Sequence, residues 1–247
     1  MSRRHLSFID DSTIEQIVAE TLNIAQAARA KAQSKFERNV IDPFAALFEM
    51  SGFNLSPEDW LIQEQNRQAQ KTLVNEFGDF HQRVLGGLDG WHNTGRAGGL
   101  VDLINADKKI IAEVKNKHNT LKASDQKNLY ESLEKLVMPK GQKYKGFTAY
   151  YVQIIPKNAL RFNKPFTPSD NQIGEKKVSN ELIRTIDGWS FYELATGVDA
   201  ALEQLFDGLP NLMGLGSVNF KPDSVKRYFN AAFVKKMKPK SAKKASQ

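Results

Sequence analysis

The sequence contains no cysteine and no long apolar run. Without cysteine, neither a disulfide nor a zinc–thiolate site can form. A membrane-spanning helix needs about 20 consecutive apolar residues, and none occurs here. The first residues are followed by no apolar stretch typical of a signal peptide. We therefore expect a cytoplasmic protein with no membrane partner.

Positive and negative charges nearly balance over most of the chain. The formal net charge of the 247 residues is +7, but residues 235–247 hold six lysines and no acid, which leaves about +1 for the rest. Such a lysine-rich end predicts a basic disordered tail that attracts phosphates without distinguishing bases. Any nucleic-acid surface on the nearly neutral body must then be a local patch.

Two apolar runs, residues 100–106 and 109–115, flank a two-residue loop at 107–108 and predict a tight β-hairpin. With this loop, Asp102 lies opposite Glu113 on the neighbouring strand. Side chains alternate along a strand, and opposed residues share a face. The two carboxylates are therefore predicted to stand side by side on a mostly apolar strand pair.

Lys115 is predicted to share that face, two residues after Glu113 and opposite Leu100. Two adjacent carboxylates in an apolar sheet repel each other unless a cation lies between them. We interpret Asp102 and Glu113 as ligands of Mg²⁺, which prefers oxygen, with Lys115 beside them. Two alternatives stay open. The charges of an edge hairpin can simply be solvated, and a one-residue slip in register would move Asp102 to the opposite face.

The order helix, hairpin, helix, strand, loop, strand, helix predicts an α/β fold. We expect a single domain with a central mixed sheet of four to five strands, flanked by helices and extended by helices at both ends. Its predicted limits are residues 1–234, with a helical part at 1–90 and a catalytic core at about 91–206, followed by the tail at 235–247.

Several local sequence patterns predict where helices and strands lie. Ser56-Pro57 predicts the start of a long helix, and a break near residues 75–78 is left open. Residues 147–155 and 189–194 are interpreted as strands. The helix that begins at Pro43 is expected to point its apolar side chains inward, namely Phe44, Leu47 and Phe48, and Phe53 and Trp60 are also expected to pack.

The arrangement of Asp102 and Glu113-Val114-Lys115 on a hairpin resembles the core of the PD-(D/E)XK nucleases, although Val101 stands where the acronym has proline. Further blocks are similar to the type II restriction endonucleases that cut GGNCC or GGWCC. These blocks are residues 77–82, 99–102, 113–120 and 188–197. The resemblance implies a restriction-endonuclease-like domain that hydrolyses double-stranded DNA at a short palindromic site, within a restriction–modification system.

In such a nuclease, Mg²⁺ would be held by Asp102, Glu113 and the backbone carbonyl of Val114, and Lys115 would orient or deprotonate the attacking water. Nucleases of this family often add a glutamate from the helix before the hairpin. Glu76 is our candidate, and Glu64 is the alternative; either acid can instead be a solvated residue of the helix surface.

A palindromic site needs two active sites related by a twofold axis, so we expect a homodimer. The DNA methyltransferase of the system would be a genetic rather than a physical partner. The residues expected to touch DNA lie past the second hairpin strand and in the later polar loop, namely Asn116, Lys117, Asn119, Lys122, Arg161, Lys164, Lys176 and Lys177.

Two other functions are weighed against this one. The first is a structure-specific nuclease, such as a junction resolvase or a repair enzyme. The second is a DNA-binding module without catalysis, against which the complete Asp/Glu/Lys set argues. His81 is interpreted either as a general base or as a packed, hydrogen-bonded residue.

Overall fold

The computed structural model describes residues 5–95, 101–170, 175–176, 179–215 and 221–233. In these ranges seven α-helices occur: α1 Asp11–Ser34, α2 Pro43–Phe53, α3 Pro57–Gly86, α4 Ala123–Val137, α5 Gly188–Thr196, α6 Ala201–Leu212 and α7 Pro222–Phe233. The strands are β1 Trp91–Asn93, β2 Leu103–Asn105, β3 Ile110–Lys117, β4 Thr148–Ile155, β5 Asn163–Pro165, β6 Ser169–Asp170, β7 Glu175–Lys176 and β8 Ile183–Asp187. No helix within them has both the length and the apolar character to cross a membrane. The predicted tail lies outside the described residues.

Six strands form one mixed sheet in the order β1-β2-β3-β4-β8-β5. The first three are antiparallel to one another, β3, β4 and β8 run parallel, and β5 is antiparallel to β8. Strands β6 and β7 pair separately. The predicted mixed α/β sheet is confirmed, with one strand more than the upper expectation.

Helices cover both faces of the sheet. On one face, Leu133 of α4 packs with Ile111 and Tyr151, and all three side chains are fully buried. On the other face, residues of α1, α3, α5, α6 and α7 surround Val114 and Val152. The molecule therefore has three layers around a central sheet, and the central strands β3 and β4 bury both of their faces over most of their length.

The hairpin of β2 and β3 has the predicted register. Leu103 pairs with Ala112, and Asn105 pairs with Ile110. Lys109 N donates to Ala106 O at 3.1 Å, so residues 107–108 form the loop. Because a slip of one residue would exchange the faces, this register decides where the charged side chains lie.

Helix α3 begins where its capping signal predicts. The Ser56 side chain accepts a hydrogen bond from Asp59 N at 3.1 Å, and Pro57 occupies the first turn. The helix then runs unbroken for 30 residues, so the break considered near residues 75–78 is absent. At about 1.5 Å per residue it is about 45 Å long.

The predicted strand at residues 189–194 is wrong, since this segment belongs to α5. The strand lies just before it, as β8. Asp187 ends β8 and caps α5, accepting from Ser190 N at 3.0 Å. Gly188 allows the turn to lie against β4, where a Cβ would clash with the backbone of Ile154.

The inward orientation expected for the apolar side chains of α2 is also wrong. Phe44, Leu47 and Phe48 are 74%, 64% and 79% exposed, and Phe53 is 66% exposed. In this helix Ala46 is buried instead.

Candidate active site

The site lies at the edge of β3 that β2 leaves open. Asp102 stands just before β2, and its backbone N donates to Ala112 O at 3.0 Å. Its side chain turns along this edge, where Asp102 Oδ2 accepts from Val114 N at 2.7 Å. The carboxylate thus accepts the hydrogen bond that a neighbouring strand would otherwise accept from Val114. It is fixed beside the Glu113-Val114-Lys115 segment.

The backbone of Val114 also faces this edge. The N–H and C=O of one strand residue point to the same side, and the N–H of Val114 points to Asp102. The Val114 carbonyl therefore points to this open edge rather than toward β4. This orientation suits the role predicted for it as an oxygen ligand.

Glu113 and Lys115 project from the face of β3 that bears Ile111. Lys115 Nζ lies 2.6 Å from Glu113 Oε1, and both side chains are mostly shielded from solvent. Glu113 pairs in register with Tyr151 of β4. The Tyr151 hydroxyl is buried without a hydrogen-bond partner among the described residues, and burial together with the charge of Glu113 raises its pKa to about 12.

The charges of the site act strongly on Asp102. Burial and the negative charge of Glu113 raise the pKa of Asp102 to about 6, with a smaller contribution from Asp79, against the hydrogen bond from Val114 and the charge of Lys115. Burial is the largest cause of this rise, and the charge of Glu113 is the second. The three predicted residues are thus electrostatically coupled.

The same surroundings disfavour the charged form of Asp102 and favour the charged form of Lys115. Burial alone would lower the pKa of Lys115, but the charge and hydrogen bond of Glu113, with the charges of Asp102 and Asp79, raise it. Lys115 is therefore a protonated ammonium group in the metal-free site.

Asp79 is a site residue that sequence reasoning did not single out. It lies on α3, and its charge acts on both Asp102 and Lys115. Asp79 and Glu76, one helical turn apart, line the same depression of about 280 Å³. The available sequence signal was this one-turn spacing, which puts Asp79 on the same side of α3 as Glu76 and nearer to the hairpin.

Glu76 has a different environment from Asp79. It is buried, and Glu76 Oε1 lies 2.5 Å from Arg83 Nη2. Arg83 also bonds Thr21 of α1 at 3.0 Å, which joins α1 to α3. The alternative, Glu64, pairs with Arg67 at 2.5 Å and lies 15 residues before Asp79, about 22 Å along the helix.

His81 is held in the core. Its Nδ1 lies 2.8 Å from the hydroxyl of Tyr192, and burial lowers the pKa of His81 to about 4. The imidazole is therefore neutral near pH 7 and joins α3 to α5. This geometry favours the packed interpretation over the general base.

The donor set fits a hydrated divalent cation. Three carboxylates, Asp102, Glu113 and Asp79, act on this place together with the ammonium group of Lys115. In the described part of the chain, no three His, Cys, Asp or Glu side chains stand close enough to enclose a metal by themselves. An ion here would complete its shell with water and substrate oxygen, as Mg²⁺ commonly does.

The residues predicted to touch DNA fall into two groups. Asn116 and Lys117 end β3, and Asn119 and Lys122 follow before α4; all but Asn116 are exposed. This group directly follows the Glu113-Val114-Lys115 segment along the chain.

Of the second group, Lys164 lies at the opposite edge of the sheet, since β5 is three strands and about 14 Å from β3 at about 4.8 Å per strand. Arg161 bonds Glu193 at 3.0 Å and stacks over Trp189, while exposed Lys164 belongs to β5. Lys176 belongs to β7, and Lys177 lies outside the described residues.

Comparison with known proteins decides the family. The sequence profile of the Eco47II restriction endonuclease family matches residues 6–214, which is most of the chain. The chain belongs to this family. The matched range contains Asp79, Asp102, Glu113 and Lys115, and the resemblance noted from the sequence is confirmed.

Two curated relatives extend the match over nearly the whole length. The type II restriction enzyme Eco47II of Escherichia coli is 44% identical over 237 residues, covering 92% of this chain and 98% of that protein. The type II restriction enzyme Sau96I of Staphylococcus aureus is 32% identical over 214 residues, covering 85% of this chain and 80% of that protein. This member of the Eco47II family is thus a restriction endonuclease, a DNA-cleaving hydrolase.

Proposed function

We propose that this chain is a Mg²⁺-dependent type II restriction endonuclease that cleaves double-stranded DNA at a palindromic site of the GGNCC or GGWCC kind. It acts as a homodimer, and its methyltransferase is a genetic partner. The observation that carries the proposal is the coupling of Asp102, Glu113 and Lys115 at the open edge of β3. The site sequence itself rests on the resemblance to enzymes of that specificity.

Hydrolysis of a phosphodiester needs an attacking water, positive charge near the phosphate oxygens, and relief of charge on the leaving oxygen. Asp102, Glu113 and the Val114 carbonyl would hold Mg²⁺. The ion would supply Lewis acidity and a water of lowered pKa. The hydrogen bond from Val114 N fixes the orientation of the Asp102 carboxylate.

Lys115 orients the attacking water and offsets the charge that develops in the transition state. The raised pKa of Lys115 favours the ammonium form, which can donate to water but cannot accept its proton. Orientation and charge compensation are therefore better supported than general-base catalysis.

Substrate contacts come from the ends of the sheet. Lys117 and Lys122 attract phosphates, and Asn116 and Asn119 offer amides to phosphate or base edges. Lys164 extends this surface to the far edge of the sheet, and Arg161, Lys176 and Lys177 are further proposed contacts. The roughly 14 Å between β3 and β5 is comparable with the width of the major groove, about 12 Å.

The decisive experiment digests a plasmid with one GGNCC site and maps the cut ends. We expect discrete cleavage at that site with Mg²⁺, loss of cleavage in EDTA, and binding without efficient cutting in Ca²⁺. Cutting only at branched junctions would favour the structure-specific nuclease, and binding without cutting under all conditions would favour the inactive module. Undiminished cutting in EDTA would overturn the metal assignment.

Site variants test the assignment of residues. Glu113→Gln and Lys115→Ala should each reduce cleavage by at least about 100-fold while DNA binding and folding persist. Exposed Glu58→Gln and Lys145→Ala are matched controls and should cut normally. Near-normal cleavage by either site variant would remove that residue from the mechanism.

A further inference from the structure

Helix α2 presents a large apolar surface to solvent. Val40, Phe44, Leu47, Phe48 and Phe53, here called the α2 face, are all at least 64% exposed. Phe44, Leu47 and Phe48 follow the spacing of one helical stripe. A stripe of this composition normally packs against the core, but here it points away from it.

The other side of α2 is already attached to the protein. Ala46 is buried, and Trp60 Nε1 of α3 donates to Glu49 Oε2 at 2.8 Å. Asp42 caps the helix by accepting from Phe44 N at 2.9 Å. The α2 face is therefore not needed to hold α2 in place and is available to a partner.

The apolar stripe of α2 carries no basic side chain. Residues 40–53 contain the acids Asp42 and Glu49 and no lysine or arginine. Basic side chains such as Lys35, Arg38 and Lys71 line a depression that Val40 borders, but Phe44, Leu47 and Phe48 are not part of its lining. The stripe itself therefore offers phosphates no counter-charge, and an apolar protein surface complements it best.

The area of the α2 face is that of a dimer contact. A phenylalanine side chain alone accounts for about 150–250 Å², so the α2 face exposes on the order of 600–700 Å² of apolar surface. The largest apolar patch on a typical monomer is about 300–600 Å². A standard interface takes about 800 Å² from each partner, which the α2 face and its polar rim approach.

We infer that the α2 face packs against a second copy of this chain. The inference rests on the proposed function, because a palindromic site requires two catalytic centres related by a twofold axis. In an isologous contact each copy contributes the same apolar patch, so one surface supplies both halves of the interface.

The position of α2 leaves the catalytic edge free. Trp60, which holds α2, and Asp79, which faces the active site, are 19 residues apart on α3. That separation is about 29 Å along the helix. The α2 face therefore lies near the end of α3 that is remote from Asp79, and a contact made there does not require the carboxylates to be covered.

Sedimentation velocity over a range of protein concentrations tests this interface. We expect the wild-type chain to form a dimer, and Phe44→Ser and Phe48→Ser each to weaken the association at least about 30-fold. Tyr228→Ser is the matched control, since Tyr228 on α7 is also an exposed aromatic residue, at 61%. Both α2 variants should unfold like the wild-type monomer, because neither removes a core side chain.

Cross-linking gives a second measurement that does not depend on weakening the association between copies. The chain has no cysteine, so a single Leu47→Cys variant carries the only thiol. A short bifunctional maleimide should link two copies of this variant, and it should not link copies of Tyr228→Cys.

A wild-type chain that stays monomeric, or α2 variants that dimerise as tightly as the Tyr228 control, would overturn the inference. A concentration-dependent series beyond the dimer would also overturn it, because a twofold contact closes. These outcomes are distinct from failure of the proposed function. A dimer that depends on α2 but does not cut DNA refutes only the function, and a cutting enzyme whose association ignores α2 refutes only the interface.

Discussion

Replacing Asp102 by asparagine should stabilise the metal-free protein. Burial and the charge of Glu113 raise the pKa of Asp102 from 3.8 to about 6. One pKa unit corresponds to about 1.4 kcal/mol, so the ionised carboxylate destabilises the fold by about 3 kcal/mol. Asparagine keeps an acceptor for Val114 N, although a neutral one that is weaker by about 1 kcal/mol. We therefore expect Asp102→Asn to raise the free energy of unfolding by about 1–3 kcal/mol at pH 8.

The sign of the pH dependence follows from the raised pKa of this acid. Below pH 3.8 Asp102 is neutral in both the folded and the unfolded protein, and its pKa shift contributes nothing. As the pH rises from about 4 to about 6, the unfolded chain ionises first, so the wild type loses stability relative to the variant. The advantage of Asp102→Asn should be complete above pH 6 and shrink toward pH 4.

Urea unfolding in EDTA at several pH values between 5 and 8 measures this difference. Asp107→Asn, in the exposed loop of the same hairpin, is the matched control and should show no pH-dependent gain. Adding Mg²⁺ should stabilise the wild type and not Asp102→Asn, because binding to the folded state alone shifts the unfolding equilibrium. A variant no more stable than the wild type at pH 8, or a gain that does not change with pH, would refute the electrostatic account of the site.

Three further outcomes are expected. Asp79→Asn should lower the cleavage rate at least about 10-fold with little loss of stability, as cleavage assays will show. Glu76→Gln should mainly lower the thermal midpoint, because it weakens the buried ion pair that holds Arg83 within α3, as thermal unfolding will show. Tyr192→Phe, which removes the hydroxyl bound to His81, should lower the free energy of unfolding by about 1–2 kcal/mol in urea and leave cleavage unchanged; a large loss of cleavage would restore His81 as a catalytic candidate. Deleting residues 235–247 should weaken binding to cognate and non-cognate DNA equally and make binding less dependent on salt concentration. A selective loss of cognate affinity in titrations would contradict this prediction.

The features predicted correctly depend on interactions between near neighbours in sequence. The register of β2 and β3 follows from a two-residue loop and strict alternation, and both are visible between residues 100 and 115. The start of α3 follows from Ser56 and Pro57 alone. The proximity of Asp102 to Glu113 follows in turn from the register, since opposed strand residues share their surroundings.

The features that were missed depend on contacts distant in sequence. Residues 189–194 are rich in aromatic side chains, which favour strands, but the cap from Asp187 and the close approach of Gly188 to β4 make them helical. Asp79 enters the site only because α3 packs along the hairpin. The exposure of Phe44 and Phe48 likewise reflects where α2 attaches, which its own apolar composition cannot reveal.

The charges of the site link two properties, namely the destabilisation of the fold by ionised Asp102 and the proposed need for a metal ion in cleavage. Asp79, Asp102 and Glu113 outnumber Lys115, so the metal-free edge of β3 repels any phosphodiester that approaches it. The lysines beyond β3 are proposed to attract the duplex, and the charge that offsets these carboxylates comes from Lys115. A divalent cation at Asp102 and Glu113 would remove the internal repulsion and the repulsion of substrate together. The negative charge of Glu113 thus contributes, after burial, to the raised pKa of Asp102, and the same charge would favour a bound cation.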